Sequence, residues 1–372
     1  MLVEEAFFQH TDNQWINDRI LGRKHRDPSV TDAIQELKNL LKSHIRAFIR
    51  RFGIDLIVPQ NALTIPMHIP LGMAITEVIA ETQIPTIAHH HDFYWERTRF
   101  SVNAVHDYLR MSFPPYLPGI EHVVINSAAQ EELALRTGIA AITVPNILDF
   151  EHPPAETAAR RCDLRGKLGF EDTDVVFLQP TRIVQRKGIE HAIDLIKALD
   201  DPRFKLLISH EVGDEGFEYA DWLEQEAQRQ GVDLRTLNTS MRDPWNDAAN
   251  GSPAPSLLEI YPCADFVTYP SLYEGFGNAF LEAVYFRKPV LINRYAIFVR
   301  DIEPQGFDLI AMDGFLTKRT IETVRHLLLS PERREQMVTH NFQVAAKHYS
   351  YAVLRRWLKT IMVNLFGMED GG

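Results

Sequence analysis

"YPSLYEGFGNAFLEAV", Tyr269–Val284, sets two glutamates, Glu274 and Glu282, eight positions apart around a glycine-rich turn. The residues leading into it, "DFVTYP" (Asp265–Pro270), are apolar and β-branched and predict a buried strand. Those leading out, "GNAFLEAVYF" (Gly277–Phe286), predict a helix. Gly277 and Asn278 open that helix, where backbone amides without an acceptor and without shielding side chains suit a diphosphate. Glu274 then stands at the phosphate end of a ligand. Glu282, about one and a half turns into the helix, can reach a second hydroxyl-bearing group. Read alone, the same residues also describe an ordinary glycine loop and a solvated glutamate.

The strand–turn–helix unit repeats along the chain. From Asp32 to Phe52 apolar residues at Ile34, Leu37, Leu41, Ile45, Phe48 and Phe52 form a helical stripe, with Lys38, Lys42, Arg46 and Arg50 off it. "IDLIVPQ" (Ile54–Gln60) reads as a buried strand, and "IPTIAHHHD", "HVVINS" and "AITVPNILDF" as further strands, with helices between them and Ser127 as a helix cap. "EHPPAETAARRC" (Glu151–Cys162) has two prolines and no apolar period, and reads as a linker. Beyond it the alternation restarts with "DVVFLQP", "FKLLISH", "DFVTYP" and "PVLIN" as strands. Asn341–Phe366 reads as two helices broken near Tyr349–Ser350. The expected fold class is α/β, with two Rossmann-like domains whose parallel sheets face a cleft. The expected domains are residues 1–152, 153–345, and a carboxy-terminal helix over 346–372 that packs back on the first domain.

Composition narrows the function. The 372 residues carry 39 basic and 50 acidic side chains, a net charge of −11, which argues against a nucleic-acid partner. The two cysteines, Cys162 and Cys263, lie far apart without a metal-ligand spacing. No long apolar run and no signal-peptide pattern occurs in the sequence, and the expected location is cytoplasmic. The basic face from Lys38 to Arg51 reads as a solvated helix face, with weak peripheral contact to acidic lipid as the alternative.

Two further stretches carry candidate chemistry. "PTRIVQRKGIEHA" (Pro180–Ala192) follows a strand and leads into a helix, placing Arg182 and Lys187, with Arg186 nearby, where they can neutralise a leaving diphosphate in place of a metal; read alone, it equally describes a solvated basic loop. "HHHDFYWER" (His89–Arg97) ends a strand of the first domain. Alternation along a strand keeps His89, His90 and His91 from converging on one ion. His91 is the one expected to face the cleft, and Phe93, Tyr94 and Trp95 are expected to pack.

At these motifs the sequence resembles the retaining GT-B glycosyltransferases of family 4. "EGFGNAFLE" matches that family's E-x7-E motif, Arg182 and Lys187 its R-x4-K pair, and His91-Asp92 its "HD" at the end of an amino-domain strand. "VVINSAAQEEL" and "VPNILDF" resemble two further family segments before the linker. The resemblance implies transfer of a hexose from a UDP- or GDP-sugar, UDP-glucose among them, to a hydroxyl acceptor on a glycan, lipid-linked carrier or small molecule, as in polysaccharide biosynthesis. It implies Glu274 on the donor sugar, Glu282 on the nucleotide ribose, and Arg182 and Lys187 on the diphosphate. Backbone amides around Gly275, Phe276, Gly277 and Asn278 would join that grip, and His91 would touch the transferred sugar. No metal or other cofactor is implied, and the first domain is the acceptor side.

Three departures from the family pattern stand out. Thr181 replaces the usual glycine before the arginine. "NRYAIFVRDIEPQGF" (Asn293–Phe307) replaces the usual donor-side loop. The family's first strand and glycine-rich loop are not found, so the amino-terminal domain is expected to be incomplete and its sheet short by a strand. The competing functions are a sugar-nucleotide-binding protein with little turnover and a GT-B sugar-nucleotide epimerase; R-x4-K with E-x7-E speaks against the latter.

Overall fold

A computed structural model of the chain describes residues 2–153, 165–210, 218–237 and 257–367. The chain divides into two units, Met1–Pro145 with Arg355–Gly372, and Asn146–Leu354. Residues 154–162 of the expected linker, Cys162 among them, lie outside the described residues.

The first unit holds strands β1 (Thr86–His90), β2 (Ile120–Val124) and β3 (Ala141–Thr143), parallel and in that order. The stretch expected as a strand over Ile54–Gln60 lies along β1 but is bridged to it at Ile57 and Gln60 alone. The amide of Ile57 donates to the Pro85 carbonyl, those of Ile87 and His89 to the Ile57 and Pro59 carbonyls, and that of Asn61 to the His89 carbonyl. The missing rung falls at Pro59, which has no N–H to give. One residue therefore breaks what is otherwise a continuous parallel ladder. Ahead of it stands a helix over Thr11–Ile20, unassigned from sequence, which buries Ile16 and Ile20.

The long helix of this unit runs Pro28–Phe52, starting four residues before its expected first residue because a proline fits the first helical turn. Gly53 closes it in the left-handed region. It buries Val30, Ile34, Leu37 and Leu41. Part of its basic stripe is paired within the unit. Lys38 Nζ lies 2.6 Å from Glu77 Oε1 and Lys42 Nζ lies 2.6 Å from Glu77 Oε2; Lys42 and Arg46 also pair with Glu81. Glu77 and Glu81 belong to the helix Ile69–Thr82, so Lys38, Lys42 and Arg46 form a helix–helix contact, while Arg50 and Arg51 are exposed. The helix Ser127–Thr137 is capped by Asn126, whose Oδ1 accepts the Ala129 amide at 2.7 Å, and not by Ser127, which is its first helical residue.

The second unit carries β4 (Val175–Gln179), β5 (Phe204–Ile208), β6 (Asp233–Thr236), β7 (Phe266–Tyr269), β8 (Val290–Asn293) and β9 (Ile310–Met312). They form one parallel sheet in the order β6-β5-β4-β7-β8-β9. The inner strands β4, β7 and β8 are buried nearly throughout, as strands covered on both faces must be. The edge strands β6 and β9 escape sequence reading: "DLRT" is polar and half-buried, and "IAM" is three residues long. Phe177, Leu206, Ile208, Phe266 and Leu291 meet Ile189, Ile193, Ile196, Val324 and Met337 in the core. The helices Pro331–His348 and Tyr351–Phe366 meet at the expected break. There Leu148 donates its amide to the Tyr349 carbonyl, and Phe150 packs edge-on against Tyr285 and Phe342.

Strand order reverses between β4 and β7, the neighbours from which the sheet grows outward in both directions. In such sheets ligands bind beyond the carboxyl ends of the strands at that switch point. The segments after β4 and β7 are the two motif loops.

Glu77 sits between two lysines, one of them buried, so Glu77→Gln leaves Lys38 without its counter-charge. Urea unfolding should show a loss of about 2 kcal/mol. An unchanged midpoint would contradict the structural role assigned to the pair.

Candidate active site

The loop after β4 makes a tight turn, with the Val184 amide on the Arg182 carbonyl and a short 3-10 turn over Gln185–Lys187. Gly188 follows in the left-handed region at φ 60, where a Cβ would stand 2.7 Å from the Pro270 carbonyl oxygen. The close approach lets the Arg186 carbonyl accept the Leu272 amide at 2.9 Å. The two motif loops are thus joined through backbone before any side chain is considered.

Side chains complete the junction. Lys187 Nζ is ion-paired with Glu274 Oε1, both groups being buried. Arg186 Nη1 lies 4.0 Å from Glu274 Oε2 and donates to the Tyr273 carbonyl. Burial pushes the Lys187 ammonium below its ordinary value; Glu274 opposes that shift, and Arg186 and Arg182 add to it. Arg182 is exposed at the start of the same loop. Thr181, the first departure from the expected pattern, is buried and accepts from Gln179 Nε2 at 2.9 Å; Gln179 Oε1 in turn accepts from Thr268 on β7.

Gly277 is required by two constraints. Its φ is +118, and a Cβ there would lie 2.3 Å from Tyr295 Oη. Tyr295 donates to the Phe276 carbonyl at 2.7 Å, so a residue of the divergent Asn293–Phe307 loop fixes the glycine turn. That loop also contains a π-helical turn over Phe298–Ile302. The helix Asn278–Tyr285 starts directly after Gly277, and the amides of its first turn have no acceptor within the helix. Asn278 Oδ1 accepts from Asn146. Gly275 and Phe276 lie between Glu274 and this helix start, with the Phe276 ring buried.

Glu282, on that helix, accepts a hydrogen bond from Tyr261 Oη at 2.8 Å. Burial raises its carboxyl above the ordinary range, and the Tyr261 bond works against that rise. Tyr261 has no signal in the motif and went unmarked from sequence. His210, just past β5, is a second residue missed: burial, then Arg182 and Lys187, push its imidazole down to about 4, so it is neutral at physiological pH. Its Nδ1 lies 2.9 Å from Ser209 Oγ.

His91 belongs to the other unit, at the end of β1. The three histidines part as alternation requires. His90 is buried with Nε2 2.9 Å from His122 Nδ1, His89 Nδ1 lies 2.6 Å from Gln60 Oε1, and the His91 ring is exposed. The His91 amide donates to Asn61 Oδ1 at 2.7 Å, and Asp92 pairs with Arg97. Phe93 is fully buried and stacks on Trp95 at 4.5 Å, a packing contact. Among the described residues no helix is long and apolar enough to cross a membrane.

Gly277→Ala combines a strained φ with a clash, and should cost about 3 kcal/mol in unfolding free energy. Tyr295→Phe in the same chain removes the clashing oxygen, leaving ring carbon at 3.5 Å. The double variant should therefore be more stable than the sum of the single changes by about 1 kcal/mol or more. Strict additivity in calorimetry would show that the contact does not govern this turn.

A family model described as "Glycosyl transferases group 1" matches residues 161–343. The mannosylglucosylglycerate synthase of Thermotoga maritima is 32% identical across 94% of this chain and 86% of its own length. That of Petrotoga mobilis is also 32% identical, over 75% and 68%. Among solved structures, a glycosyltransferase from Rickettsia africae superposes with a TM-score of 0.68 at 13% identity, covering 93% of this chain and 84% of that one. Anabaena HepE in complex with UDP and glucose gives 0.62 at 14% identity, covering 89% and 81%. These likenesses identify the two Rossmann-like parallel sheets as the GT-B fold. The chain belongs to the glycosyl transferases group 1 family and is a glycosyltransferase.

Proposed function

We propose that the protein moves a hexosyl unit from a UDP- or GDP-sugar to a hydroxyl of a small anionic acceptor, with retained anomeric configuration. The observation that carries the donor half is the Lys187–Glu274 contact at the sheet's switch point. It brings a cation suited to a diphosphate beside a carboxylate suited to sugar hydroxyls. The acceptor half rests on the relatives, whose names describe synthesis of mannosylglucosylglycerate. A mannosyl unit and glucosylglycerate are therefore the first pair to try.

In this reading Arg182 and Lys187 hold the diphosphate, joined by backbone amides from Gly275 through Asn278. Charge building on the leaving diphosphate meets fixed cations and a helix start that need no rearrangement, which is where such groups lower a barrier most. Glu274 has lone pairs left for donor-sugar hydroxyls while one oxygen holds Lys187. Glu282 takes the ribose, and His91 contacts the transferred sugar. Two side-chain cations take the part a divalent metal plays elsewhere, so the reaction runs without one.

The test offers UDP-glucose, GDP-mannose and related donors together with glucosylglycerate, with products read by mass spectrometry. A product heavier by one hexose, formed equally in EDTA, is the expected result. Donor binding without any transfer would overturn the assignment, and a need for added Mg²⁺ would overturn its metal-free part. Glu274→Gln should cut turnover about 100-fold with nucleotide still bound. Glu282→Gln should weaken nucleotide affinity about ten-fold. Equal loss of affinity in both would show the two roles to be wrongly divided.

A further inference from the structure

Tyr261 has no exposed surface, yet its hydroxyl is not spent on the core. It lies on the helix Leu257–Cys263, immediately before β7, with its ring stacked on Phe286 at 4.9 Å and an interplanar angle of 6°. The hydroxyl reaches two acceptors across the sequence, Glu282 Oε2 at 2.8 Å and the Ala279 carbonyl at 3.1 Å. The carbonyl is in the first turn of the helix Asn278–Tyr285, and Glu282 is one turn further along it. One buried donor thus ties down both the start of the donor-side helix and its acidic side chain.

We infer that Tyr261 is the positioning residue of the donor site: its hydroxyl fixes the rotamer of Glu282 and keeps that carboxylate charged, leaving Oε1 to accept from the nucleotide ribose. The inference rests on the ribose role proposed for Glu282. The physical case is direct. A half-buried carboxyl tends to hold its proton, and a protonated carboxyl loses acceptor capacity. A hydrogen bond donated to the charged form opposes that, and a rigid stacked ring gives the bond a fixed direction. The Tyr261 hydrogen bond lowers the Glu282 carboxyl against the rise that burial imposes.

The sign of the pH effect follows. Donor affinity requires the carboxylate and fails as pH falls through the Glu282 value, which burial already raises and Tyr261 holds down. Tyr261→Phe keeps the ring and its stack but removes the hydroxyl. The Glu282 value then rises further, so the acid limb of donor binding moves to higher pH.

The experiment measures the nucleotide dissociation constant from pH 5 to 8 by calorimetry for wild type, Tyr261→Phe and Glu282→Gln, alongside their melting temperatures. Tyr261→Phe should bind about ten-fold more weakly at neutral pH, with its acid limb displaced upward. Glu282→Gln should be equally weak and lack that limb. If Tyr261→Phe melts lower but keeps wild-type affinity and profile, the tyrosine is packing alone and the inference fails. If Glu282→Gln itself binds as wild type does, the proposed ribose role fails instead. Loss of binding in Tyr261→Phe at every pH without a shift of the limb would refute the charge-holding part of the inference.

Discussion

The ion pair between Lys187 and Glu274 is the contact on which the junction of the two motif loops depends. Two buried groups of opposite charge are costly apart and tolerable together, so each loop is held wherever the other goes. Their meeting requires β4 and β7 to be neighbours, which the strand order provides. It also requires the loops to approach within backbone contact, and Gly188 and Gly277 are the positions where a side chain would prevent that. Around the pair, Gln179, Thr181 and Thr268 satisfy one another inside the sheet, and Asn293 donates to the Ser271 carbonyl from β8. These bonds hold the carboxyl ends of β4, β7 and β8 together beneath the two motif loops.

Much of this was legible in the residues. The repeated alternation of strand and helix reports the parallel sheet because both faces of each inner strand are buried and the strand reads as an apolar run. E-x7-E and R-x4-K mark the two loops that meet at the switch point because they combine a turn, a helix start and charge at fixed offsets. What escaped is contact between distant segments. Tyr261 and Tyr295 shape the site through single hydroxyls reaching Glu282 and the Phe276 carbonyl, and no local spacing announces such reach. The edge strands β6 and β9 were missed because half-buried or three-residue strands carry no period.

The basic helix Pro28–Phe52 shows the complementary case. The pairing of Lys38, Lys42 and Arg46 has no local signal because the acids that neutralise them, Glu77 and Glu81, lie on another helix, while Arg50 and Arg51 remain exposed. The buried strand expected at Ile54–Gln60 is instead a half-buried to exposed segment bridged to β1 at two points, with Val58 exposed and Pro59 interrupting the ladder.

A diphosphate grip at Lys187 is most directly tested by comparing nucleoside diphosphate with monophosphate in calorimetry, for wild type and for Lys187→Met. Wild type should prefer the diphosphate by about ten-fold or more, since a charge-assisted contact to the second phosphate is at stake. In Lys187→Met that preference should collapse while monophosphate affinity stays close to wild type. An undiminished preference in the variant would mean that the second phosphate is held elsewhere, and the switch-point pair would lose its place at the centre of the site.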